Sequence, residues 1–126
     1  MNSRRRISQA DGLKGLAEWR RAGLATSRQD LATAVRFTLE ELAQTAPGNT
    51  VEVRVPPFAA VQCLPGPRHR RGTPPNVVEL DGETWLALAT GQVIWDDAVQ
   101  SGRVHASGWR ADLSQVLPLA LGDQPV

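Results

Sequence analysis

The sequence has 126 residues, 41% of them apolar and 21% charged, with a formal net charge of +1. That length falls within the roughly 50–250 residues of one domain, and no apolar run approaches the roughly 18 residues a membrane-spanning helix needs. So small a net charge excludes steering of the whole molecule towards nucleic acid.

Charge is nevertheless segregated. Residues 1–30 hold seven basic and three acidic side chains, Arg68 to Arg71 form a second basic knot, and residues 79–97 carry five acids with no Lys or Arg. After Arg4-Arg5-Arg6 the chain continues Ile7-Ser8-Gln9-Ala10, without the apolar segment of a signal peptide, so a cytoplasmic location is expected.

Residues 1–10 read as a disordered tail ahead of a single domain over 11–126. From Asp11, read as a cap, Leu13, Leu16, Ala17 and Leu24 give an interrupted helical stripe expected to lie on the surface, with Gly23 ending or bending it. Ser27 and Asp30 form a better helix start, and Leu31, Val35, Leu39 and Leu42 then recur on one face as far as Ala46. Glu40 and Glu41 read as solvated-face residues, not a catalytic pair.

Val51-Glu52-Val53-Arg54-Val55 alternates with a period of two and predicts a strand. Pro56-Pro57 interrupts it, and a second strand over 59–64 follows closely enough for a hairpin. Pro65 to Pro75 is a turn-rich loop in which Arg68, His69, Arg70 and Arg71 crowd together. Their tips are expected to reach solvent as an anion or partner contact, because burying unpaired charges is costly. Residues 76–80 return to strand composition, and a helix containing Trp85 and Leu88 follows, with Gly91 at its end. A short helix over 96–101, a strand over 103–107 and a terminal helix through Leu113, Val116, Leu117 and Leu119, bent or ended around Pro118, complete the chain. The fold class is therefore α+β: a mainly antiparallel sheet of four strands with helices on one face.

The candidate chemistry is sparse. Cys63 is the only cysteine, which excludes an internal disulfide, and its alternating surroundings predict a buried thiol. His69 and His105 are the only histidines, too few with one thiol for structural zinc. The Gly66 to Gly72 segment lacks the lysine-hydroxyl ending of a phosphate-binding loop. No catalytic residues, metal or cofactor are expected. Four tryptophans stand beside two phenylalanines and no tyrosine, and Trp85 and Trp95 read either as core or as walls of an apolar ligand tunnel.

Three segments together carry a resemblance: Asn76-Val77-Val78-Glu79, Thr84 through Gly91, and Trp95 through Gly108 with its helix-Ser-Gly-strand-Gly order. They resemble the C-terminal half of the SCP-2-like (sterol carrier protein 2) superfamily. Residues 28–121 as a whole resemble its bacterial, largely actinobacterial, sterol carrier subgroup, including Val55-Pro56-Pro57-Phe58 and the stretch from Arg71 to Glu79. The resemblance implies a helix-covered sheet of about five strands around an apolar tunnel, and a non-catalytic role in binding or transferring a lipid-like molecule. Trp85, Leu88, Trp95, Val116 and Leu117 are the expected wall residues. The same apolar stripes would equally fill a solid core, so the alternative is a protein-interaction or regulatory module, its partner an unknown protein. Transient contact with a membrane surface fits either reading.

Overall fold

The computed structural model describes residues 6–66 and 75–122. Helix α1 spans Gln9–Ala22, and the hydroxyl of Ser8 caps it by accepting the Asp11 amide at 3.1 Å. Asp11 is thus not the cap. It lies in the first turn, where a carboxylate suits the positive end of the helix dipole. Gly23, at φ 56°, ends the helix, and a short 3-10 turn, Gly23–Ala25, leads on. Helix α2, Arg28–Thr45, opens as the sequence predicts, with the Ser27 hydroxyl accepting the Asp30 amide at 3.1 Å.

Strands β1 (Val51–Val55), β2 (Ala59–Cys63), β3 (Asn76–Leu80) and β4 (Val104–Ser107) form one sheet in the order β2-β1-β3-β4. The β1–β2 and β3–β4 pairs are antiparallel, whereas β1 and β3 run parallel. Among the described residues the sheet has four strands, not the five implied by the resemblance. Helices α3 (Gly82–Ala89) and α4 (Trp95–Gln100) fill the crossover from β3 to β4, and Asp81 caps α3 by accepting the Thr84 amide at 2.7 Å.

The strand alternation separates the two faces. Val51, Val53, Val55, Cys63, Val78, Leu80 and Val104 are buried against Val35, Leu39 and Leu42 of α2 and Trp85, Leu86 and Leu88 of α3. On the other face, Arg54, Glu79 and His105 occupy one row across β1, β3 and β4 and remain exposed. Apolar burial is the dominant stabilising term, at about 1.5–3 kcal/mol for each large side chain taken fully out of water. The fold is therefore α+β, with its helices on the apolar face.

Helix α1 is not peripheral: Leu16 and Trp19 are buried, and the Trp19 indole donates to Glu83 Oε2 at 3.0 Å. Close approach to α2 is allowed by Gly12, where a Cβ would overlap the Phe37 ring. Ordered packing also starts before Asp11, since Ile7 lies on the core and the backbone N–H groups of Arg6 and Ile7 donate to Glu40.

The terminal helix does not form. Residues 111–122 run as turns, with Leu113 and Leu121 buried and the Leu119 amide donating to the Ala89 carbonyl at 2.9 Å. Pro118 disfavours helix at Leu117 and cannot itself donate, so the stretch before it is too short to repay a helix nucleus.

Candidate functional site

An apolar crevice lies where the end of α3, the start of α4 and the C-terminal segment meet. Helix α3 supplies Leu88, which is buried. The turn after Gly91, at φ 82°, brings Val93, Ile94 and Trp95 across its mouth. Ser114, Leu117 and Pro118 close the opposite side, and Pro118 reaches within 3.4 Å of where a Cβ on Gly91 would stand. The crevice encloses about 240 Å³. Asp96 and Ser114 are its polar lining, both exposed, while Ile94 is 63% exposed and continues the apolar lining onto the surface.

Three of the five expected wall residues therefore meet here: Leu88, Trp95 and Leu117. Val116 is only half-buried and packs on the core beside the crevice. Trp85 belongs elsewhere. It is fully buried, and its indole donates to Thr38 Oγ1 of α2 at 2.7 Å, which makes it a core rivet between α2 and α3. Arg68, His69, Arg70 and Arg71 lie outside the described residues.

Sequence reasoning missed Val93, Ile94, Ser114 and Pro118. Ile94, an isolated apolar residue between a helix-ending glycine and Trp95, was the available signal. Ser114 and Pro118 were hidden by the helical reading of residues 113–119, which assigned neighbours by helical spacing to a segment that in fact turns.

Little else has the makings of a reaction centre. Burial pushes the Cys63 thiol up to about 11, so it stays protonated and unreactive near neutral pH. His105 stands exposed on the solvated face of the sheet. Among the described residues no group of three or more His, Cys, Asp and Glu could hold a metal ion, and no helix is long and apolar enough to cross a membrane.

The family model for the bacterial SCP ortholog matches residues 27–119, which take in α2, all four strands and every residue of the crevice. The chain belongs to the bacterial SCP ortholog family. No curated protein sequence matches it. Helix α1 lies outside the matched span, yet its Leu16 and Trp19 belong to the core of this SCP chain.

Proposed function

We propose that this SCP family chain binds a lipid-like small molecule without transforming it, holding the apolar part of that molecule in the crevice of Leu88, Trp95 and Leu117. The observation that carries this reading is the continuity between a buried apolar lining and the exposed side chain of Ile94. Family membership supports it independently. At about 240 Å³ the crevice is smaller than the roughly 300–1,000 Å³ of pockets that enclose a whole drug-sized ligand. It therefore takes one end of a chain or ring system, the remainder lying across Ile94. Val116, packed on the core, is proposed to back the wall, and Trp85 to hold α3 in place against α2. Arg68, His69, Arg70 and Arg71 are proposed as a contact for an anionic headgroup or partner.

Native mass spectrometry of freshly purified protein, followed by lipid extraction and titration with a single-chain fatty acid, tests the reading. Retained lipid or saturable binding is expected, and Ser114→Trp should weaken it by about tenfold by filling the crevice from an exposed position. Absence of both retained and added lipid, or binding indifferent to Ser114→Trp, sinks it.

A further inference from the structure

A larger groove, about 640 Å³, lies away from the crevice, between α2 and the edge of the sheet. One wall is Phe58 to Val61, leading into and along β2, which among the described residues ends the strand order and has β1 as its only neighbour in the sheet. The other is a single helical stripe of α2: Arg36, Leu39, Glu40, Ala43 and Gln44, spaced three, one, three and one residues apart.

The backbone of β2 shows which of its groups are committed. At one end the Phe58 carbonyl turns away from β1 and accepts Arg36 Nε at 3.2 Å. At the other, the Leu64 amide donates to the Ala46 carbonyl at 2.7 Å, just past the end of α2. Backbone groups of alternate residues in a strand point to the same side. The N–H and C=O of Ala60 and Gln62 therefore face the open edge, between two positions where α2 and its cap already satisfy β2. Strand β2 reads Ala-Ala-Val-Gln-Cys, with neither a charge nor a proline to discourage strand addition between those two positions.

The rim selects the partner's charge. Glu40 is occupied by the amides of Arg6 and Ile7, at 3.2 and 3.1 Å. Arg36 uses only Nε on Phe58, and among the described residues its terminal nitrogens have no carboxylate. Arg6 lines the same groove. We propose that this groove docks an extended peptide segment of a partner protein, which adds as a strand to the free edge of β2 and sets a carboxylate against Arg36. An acyl chain could fill the groove but has no alternating donors and acceptors for Ala60 and Gln62. A second copy paired edge to edge would bring the same cations to one seam. An acidic extended peptide meets both the backbone and the charge.

The test is amide NMR of the ¹⁵N-labelled full chain, titrated with an acetylated hexapeptide of alternating valine and threonine that ends in a free-acid glutamate. Saturable shifts centred on the Ala60 and Gln62 amides are expected, and they should vanish when alternate peptide nitrogens are methylated. Ala60→Pro removes only an outward N–H, so it should abolish binding and leave the circular dichroism unchanged. Arg36→Gln should weaken the acid peptide about tenfold and its neutral counterpart, ending in glutamine amide, much less; this variant decides the matter should Ala60→Pro fail to fold. Four results overturn the proposal: no saturation at millimolar peptide, saturation that spares Ala60 and Gln62, equal binding of the methylated peptide, or concentration-dependent dimerisation that blocks the groove.

Discussion

Thr38 is the buried polar residue on which the α2–α3 contact turns. Its hydroxyl donates within α2, to the Ala34 carbonyl at 2.8 Å or that of Val35 at 3.0 Å, and accepts the Trp85 indole at 2.7 Å. Thr38→Val keeps the volume but leaves the indole N–H buried without an acceptor, so it should destabilise the fold by about 1–3 kcal/mol in urea unfolding. Trp85→Phe deletes the donor itself, and the loss should then reflect packing. In the double variant the Thr38→Val penalty should largely disappear, because no orphaned donor remains.

Cys63 makes a pH-dependent prediction at the same scale. Burial disfavours the thiolate and pushes its folded pKa from the ordinary thiol value of 9.0 up to about 11. Below the ordinary value both states hold the proton and the contribution to stability is complete. As pH rises from about 9 towards about 11 the unfolded chain ionises first, so stability falls across that window. Urea midpoints for the protein and Cys63→Ala should converge over this range. A fluorescent maleimide should label Cys63 at neutral pH only after unfolding.

At the scale of the element, the start of α2 was legible because its chemistry is local, and the start of α3 uses the same chemistry. Ser27 and Asp81 each accept an amide three residues ahead. Ser27→Ala should cost about 1 kcal/mol, read as a lowered thermal midpoint without loss of helix content. Gly12→Ala should cost considerably more despite alanine's better helix propensity, since the added Cβ meets the Phe37 ring and forces α1 away from α2. The terminal helix was misread because its apolar spacing suited a helix while its fate depended on Pro118 and on the bond from Leu119 to Ala89.

For the whole molecule, helix α1 is the element to remove. It precedes the matched span of residues 27–119, yet Leu16 and Trp19 are buried and its loss would bare Phe37 and the α2 stripe beneath it. A chain beginning at residue 26 should show a broad, low-temperature melt and poor amide dispersion, even though it keeps the entire sheet and crevice. A sharp, unshifted melt would mean that α1 is an accessory and not part of the cooperative core.

Periodicity and capping by themselves determined the four strands, the start of α2, the buried thiol and the α+β class, because each is decided by residues within one or two turns of chain. The tertiary structure alone decided that β3 runs parallel beside β1, that Trp85 rivets α2 while Trp95 lines a crevice, and that α1 belongs to the core. Those outcomes depend on which apolar faces meet. A tryptophan on a helical stripe carries the same local signal whether its neighbour across the fold is a threonine hydroxyl or an open cavity.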